Sequence, residues 1–132
     1  MRNINLKVAL IIYGAIHIAQ GIVLIVAPDW AAENYGFGEL APYMSYLLAI
    51  IGSAFIAAGV WFAMTGLDPL RNINGVRFAI LWAGLLLVIQ LYTLHPSYDV
   101  DISQIWPSVV LNAIFAAAFL IFYPYRRSLG SG

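Results

Sequence analysis

The chain contains four long stretches without a single Asp, Glu, Lys or Arg, and these stretches restrict its fold more than any other feature. They cover residues 8–28, 40–67, 78–98 and 102–125, so each has 21 residues or more. A helix of about 20 apolar residues is long enough to cross the hydrocarbon core of a bilayer. Strands of membrane barrels alternate polar and apolar positions, which these stretches do not. The sequence therefore predicts an all-α integral membrane protein with four transmembrane helices.

The overall composition supports a membrane protein and excludes several other classes. Hydrophobic residues make up 63% of the 132 residues and charged residues 9%, against roughly 45–50% and about 25% in soluble domains. Six basic residues balance six acidic ones, so we expect the lipid bilayer as a partner and no nucleic acid. The chain has no cysteine, which excludes disulfides, thiolate catalysis and iron–sulfur ligation.

Prolines mark the predicted ends of the helices. The six prolines are Pro28, Pro42, Pro69, Pro96, Pro107 and Pro124. Because proline removes a backbone donor and clashes with the preceding turn, we expect each of them at or near a helix end and none to kink a transmembrane helix. The predicted helices are 7–27, 43–66, 75–95 and 106–124. They form one domain over residues 1–128, and 129–132 are interpreted as a tail added by cloning.

Charged residues outside the stretches predict the orientation of the bundle. The basic residues precede the first stretch, separate the second from the third, or follow the fourth: Arg2, Lys7, Arg71, Arg77, Arg126 and Arg127. The two other loops hold five of the six acids, Asp29, Glu33, Glu39, Asp99 and Asp101. Because positive flanks stay in the cytoplasm, the sequence predicts an up-down-up-down four-helix bundle with both termini cytoplasmic. We expect it in a bacterial inner (plasma) membrane, with the first helix retained.

Small residues recur at heptad spacing in the first two stretches. Gly14 and Gly21 are seven residues apart, as are Gly52, Gly59 and Gly66. Lipid supplies little hydrophobic force between helices, so close packing of small residues holds them together. These glycines therefore predict close contact between neighbouring helices.

A few strong polar groups lie within the predicted helices. A rise of about 1.5 Å per residue places them together in the outer half of the bundle: Tyr13, His17, Gln20, Gln90 and Asn112. One interpretation is that they hydrogen-bond across the helices and fix the helix register. The other is an outward-facing polar pocket for a small molecule, an ion or a lipid headgroup. The sequence leaves both interpretations open.

The sequence gives little support for a haem, a metal site or a catalytic nucleophile. His17 and His95 cannot ligate one haem, because His17 lies about 16 Å deeper. The one plausible metal set, His95 with Asp99 and Asp101, is interpreted as a solvated loop. No nucleophile with an adjacent base is evident. We therefore assign no catalytic residue, metal or cofactor.

These observations predict a non-catalytic membrane subunit that binds a small molecule or lipid at His17, Gln20, Gln90, Asn112 and Tyr13. One alternative is an oligomeric channel or transporter for a small solute, since so short a chain needs copies of itself to enclose a pore. Another is an intramembrane enzyme acting on a lipid or quinone, with His17 as acid or base. A third is a structural subunit of a larger membrane complex.

The first predicted hairpin resembles a known group of proteins. The segment Gly14-Ala-Ile-His17 to Gln20-Gly21, followed by Ala27-Pro28-Asp29-Trp30, is similar to that of small four-helix bacterial membrane proteins of the DoxX-like kind. The resemblance implies a compact four-helix bundle, sometimes associated with quinone-linked oxidoreductases, and transfers no catalytic residues. This chain differs in having no charged residue within the helices.

Overall fold

Five helices make up the protein in a computed structural model that describes residues 2–36 and 38–125. They are α1 (Arg2–Val26), α2 (Pro28–Asn34), α3 (Pro42–Leu67), α4 (Ile73–Tyr92) and α5 (Ile102–Phe122), with a 3-10 turn at Pro96–Tyr98. The four long helices α1, α3, α4 and α5 are apolar and long enough to cross a membrane. The prediction of an all-α fold with four such helices is confirmed.

The helix boundaries differ from the predicted ones at the first hairpin. Helix α1 begins at Arg2 rather than at residue 7, because loss of hydropathy marks where a helix leaves lipid and not where its backbone starts. The short helix α2 was not predicted. Its first residue is Pro28, and a proline is tolerated there because the first N–H of a helix has no partner within the helix. Helix α2 buries Ala31 and Ala32.

Pro107 lies further inside its helix than predicted. Helix α5 begins at Ile102, because the Asp101 side chain accepts from the Ser103 amide and Gln104 completes a capping box. This cap starts the helix before the proline, so Pro107 lies in its second turn. Two parts of the predictions lie outside the described residues. They are Arg126 and Arg127, which were used to predict the orientation, and the tail at 129–132.

Helices α1 and α3 pack through their glycines. A Cβ atom on Gly59 would lie 2.6 Å from the Gly14 carbonyl oxygen, and one on Gly52 would lie 2.6 Å from the Gly21 carbonyl oxygen. The residues pair in reverse order, so the two helices are antiparallel. The predicted close contact through heptad glycines is confirmed, and it leaves no room for a side chain at these positions.

The core of the bundle is a cluster of aromatic rings around Tyr13 of α1. Its ring centroid lies 5.3 Å from that of Phe62 on α3, and 4.7 and 5.3 Å from those of Phe115 and Phe119 on α5. Tyr13, Phe62 and Phe119 are fully buried. The cluster fills the space between three helices and closes the middle of the bundle.

Helices α4 and α5 form a second antiparallel pair, joined by polar contacts near both ends. The Arg77 Nε donates to the Tyr123 hydroxyl at 2.9 Å, and the Gln90 Nε2 donates to the Ser108 Oγ at 2.6 Å. The end of the bundle that carries α2 and the 3-10 turn is called the α2 end below. Gln90 and Ser108 lie towards the α2 end, and Arg77 and Tyr123 lie at the opposite end.

The glycine contact predicts a difference between two Gly→Ala substitutions. Gly59→Ala should lower the free energy of unfolding by about 1–3 kcal/mol, because its Cβ would collide with backbone that cannot move aside. Gly84→Ala in α4 is the control, since a Cβ there meets nothing within 4 Å. Thermal unfolding in detergent measures both, and equal stability of the two variants would contradict close packing at Gly59.

Candidate functional site

Both ring nitrogens of His17 are used in hydrogen bonds. Its Nε2 accepts from the Trp82 Nε1–H at 2.9 Å, and its Nδ1 lies 2.9 Å from the Tyr13 carbonyl oxygen. The indole N–H can only donate, so Nε2 must accept and Nδ1 must carry the hydrogen. The ring is 1% exposed and stacks on Phe55 with centroids 5.1 Å apart. His17 is therefore a fixed neutral imidazole that joins α1 to α4.

Three of the other predicted polar residues, Tyr13, Asn112 and Gln90, form a continuous chain of hydrogen bonds. The Tyr13 hydroxyl donates to the Asn112 Oδ1 at 2.8 Å, and the Asn112 Nδ2 donates to the Gln90 Oε1 at 3.1 Å. Gln90 in turn donates to Ser108. The chain connects α1, α5 and α4, so the interpretation that these groups bond across the helices is confirmed for Tyr13, Gln90 and Asn112.

Gln20 is the one predicted residue whose amide takes no part in this chain. Its half-buried side chain faces a cavity, and it makes no hydrogen bond with the part of the chain that the structure describes. A primary amide carries two N–H donors and one oxygen acceptor. Gln20 therefore presents a complete set of hydrogen-bonding groups to the cavity.

The cavity lies between the four long helices near the α2 end and has a volume of about 340 Å³. Four of the five predicted site residues line it, namely His17, Gln20, Gln90 and Asn112. Tyr13 does not line the cavity but lies behind Asn112 and orients its amide. The rest of the lining is mostly aliphatic, and none of the lining residues is an acid, an arginine or a lysine.

Three polar lining residues were missed in the sequence. Ser108 and Thr93 lie four and three residues from predicted site residues, on the same helix faces, and this spacing was the signal that could have found them. The Thr93 hydroxyl donates to the Gln90 carbonyl oxygen at 2.7 Å. The third, Tyr35, follows α2 and lines the cavity at the α2 end. Nothing in the sequence placed this loop residue over the bundle.

The loop residues considered for a metal site have other partners. The His95 Nδ1 lies 2.7 Å from the Ser97 Oγ, and Asp101 caps α5. Within residues 2–36 and 38–125, no three His, Asp or Glu side chains come together in a way that could hold a metal ion. His95 and Asp101 therefore stabilise the turn and the helix start at the α2 end of the bundle.

Comparison of the chain with protein-family models, with curated proteins and with solved structures finds no match in any of the three. The DoxX-like resemblance of the first hairpin therefore stays a prediction. The function has to be inferred from the cavity and from the chemistry of the side chains around it.

The hydrogen bond from Trp82 predicts the tautomer of His17. In ¹⁵N-labelled protein in bilayers, solid-state NMR should find hydrogen on Nδ1 and none on Nε2. Trp82→Phe removes the donor and should shift the Nε2 resonance, because that nitrogen loses its hydrogen bond. Trp61→Phe, which changes an exposed tryptophan, is the matched control. Detection of hydrogen on Nε2 in the unmodified protein would contradict the assignment.

Proposed function

We propose that the protein is a non-catalytic membrane subunit that binds an uncharged small molecule or lipid headgroup in the cavity near the α2 end. The observation that carries this proposal is the Gln20 amide, which faces the cavity without a partner in the described chain. An unpaired polar group in hydrocarbon costs several kcal/mol. A ligand that bonds to Gln20 removes this cost. The cavity volume of about 340 Å³ also lies in the range of roughly 300–1,000 Å³ typical of ligand sites.

The remaining donors favour a ligand with oxygen acceptors. Gln90 and Asn112 each use one amide hydrogen in the chain of bonds, and a primary amide has two. The second hydrogens, together with the Gln20 amide, are available to carbonyl, ester or hydroxyl oxygens. Two or three such bonds would fix the orientation of a headgroup.

The absence of ionised side chains from the lining favours an uncharged ligand. A carboxylate or phosphate beside His17, Gln20 and Asn112 would lose its hydrating water and would find no opposite charge in the cavity. Desolvation of an unpaired ion is far more costly than that of a neutral polar group. Amides and hydroxyls can satisfy a neutral head completely.

The hydrogen bonds of His17 favour binding over catalysis. A general base needs a free nitrogen, but Nε2 of His17 accepts from Trp82 and Nδ1 is bonded to the Tyr13 carbonyl oxygen. An acid–base reaction would first have to break one of these bonds. A channel through one chain is also disfavoured, because the rings of Tyr13, Phe62 and Phe119 fill the middle of the bundle.

The proposed setting is a bacterial inner membrane, with the α2 end outside and both termini in the cytoplasm. Lys7 and Arg77, near the starts of α1 and α4, and Arg71, in the turn between α3 and α4, lie at the end opposite α2, as the positive-inside rule expects. The hypothesis includes a relationship to DoxX-like proteins. It also includes assembly into a homo-oligomer or a larger membrane complex, and native mass spectrometry of the purified protein tests this assembly.

The uncharged lining predicts selection by head charge. In nanodiscs, the protein should bind monooleoylglycerol at least tenfold more tightly than oleoyl lysophosphatidylglycerol, which has the same chain and an anionic head. Gln20→Leu should weaken monooleoylglycerol binding by about threefold to tenfold, the value of one hydrogen bond in a membrane. Its thermal stability should not fall, because no hydrogen bond within the described chain is lost. Native mass spectrometry and thermal shift report binding and stability.

Asn5→Leu is the matched control, since it removes an exposed amide from the same helix, α1, away from the cavity. It should leave binding unchanged. Equal binding of the charged and uncharged heads would contradict the proposal. If Gln20→Leu lowers stability while no probe binds the unmodified protein, the polar groups are structural and the chain is a packing subunit.

The orientation is testable because the chain has no native cysteine. A membrane-impermeant maleimide should label Glu39→Cys, in the loop before α3, on intact cells. Asn72→Cys, between α3 and α4, should be labelled only after permeabilisation. The reverse pattern would show that the α2 end faces the cytoplasm.

A further inference from the structure

Aromatic ring contacts join helices α3 and α4 over only part of their length within the described residues. The ring contacts Phe55 to Trp82 and Phe62 to Phe78 join them on the side away from α2. Beyond Trp82 towards the α2 end, no ring contact or hydrogen bond joins the two helices among the described residues. There the side chains of both helices line the cavity instead. Ile51, one of these lining residues, is 45% exposed, so the cavity wall is not buried at this part of α3.

A second hollow continues along the same two helices. It is a groove of about 500 Å³ on the lipid-facing side. Ala54, Ala57 and Ala58 of α3 form its floor, and Trp61, Phe78 and Trp82 form its walls. The Phe55 and Trp82 rings, with centroids 5.8 Å apart, stand between the cavity and this groove. The two hollows therefore follow one line along the bundle, with a pair of aromatic rings between them.

We propose that the groove holds the acyl chain of the amphiphile whose uncharged head binds in the cavity, so the ligand is a single acylated molecule that comes from the bilayer. This inference rests on the proposed function of the cavity. The head bonds to the Gln20 amide, and the chain leaves through the gap between α3 and α4, crosses the Phe55 and Trp82 rings and lies on the alanine floor.

The chemistry and the direction of the groove both suit an acyl chain. Alanine side chains let a chain approach the helix closely, and flat aromatic rings provide apolar walls. From Gln90 at the cavity to Phe78 at the groove is twelve residues of α4, about 18 Å at the helical rise. The groove runs from Trp82, at the middle of α4, towards the end opposite α2, so a chain that leaves the cavity and follows the groove crosses the middle of the bundle. The groove has one polar lining residue, Asn74, at its far end.

Filling the groove separates the head site from the chain site. Ala57→Phe places a ring on the exposed floor of the groove, and Ala117→Phe places the same ring on an exposed alanine of α5. The probes are monooleoylglycerol and monobutyrylglycerol, which share a head and differ in chain length. Ala57→Phe should weaken monooleoylglycerol binding at least tenfold and leave monobutyrylglycerol binding unchanged. Ala117→Phe should affect neither probe, and thermal unfolding checks that both variants are folded.

The outcomes distinguish this inference from the proposed function. If Ala57→Phe binds both probes as the unmodified protein does, the groove is not the chain site, whereas the head site stands. If Ala57→Phe loses both probes, the head and chain sites are not separate and the inference is wrong. If the unmodified protein binds neither probe, the proposed function fails, and the inference fails with it. If native mass spectrometry finds a dimer that Ala57→Phe disrupts, the groove is a contact between copies of the chain.

Discussion

A bilayer offers no water to a polar group, and the arrangement of this bundle depends on how its few polar side chains meet that constraint. His17 bonds at both nitrogens, and Tyr13, Asn112 and Gln90 bond in sequence. Every buried side-chain nitrogen and oxygen of the described residues has a partner. The same bonds fix the rotation of α1, α4 and α5, so satisfying the polar groups also sets the helix register. The Gln20 amide, which has no hydrogen bond within the described residues, faces the cavity.

Glycine contact and polar contact hold two different parts of the bundle. Helices α1 and α3 approach until the backbone of Gly14 meets that of Gly59, which leaves no space between them. Helices α4 and α5 are joined by hydrogen bonds between side chains such as Gln90 and Ser108. The cavity lies near the α2 end, where side chains of both pairs meet.

Length, hydropathy and heptad glycines predicted the four long helices and the contact of α1 with α3, because these features act along one helix or between two. Polar side chains deep in apolar helices also predicted four residues that line the cavity. The sequence did not indicate α2, the position of Tyr35, or the start of α5 at Ile102 instead of residue 106. Each of these depends on a cap or on a loop folding back over the bundle, and hydropathy carries no information about either. The Trp82 bond to His17 was missed for a related reason, because the sequence does not show whether an indole on a helix face points to lipid or to a neighbouring helix.

Two hydrogen bonds in the middle of the bundle couple its two helix pairs. The Tyr13 bond to Asn112 and the Trp82 bond to His17 link the α1–α3 pair to the α4–α5 pair. Both bonds lie beside the cavity, because His17 and Asn112 line it. The side chains that couple the two pairs are therefore the same ones that a ligand in the cavity would touch.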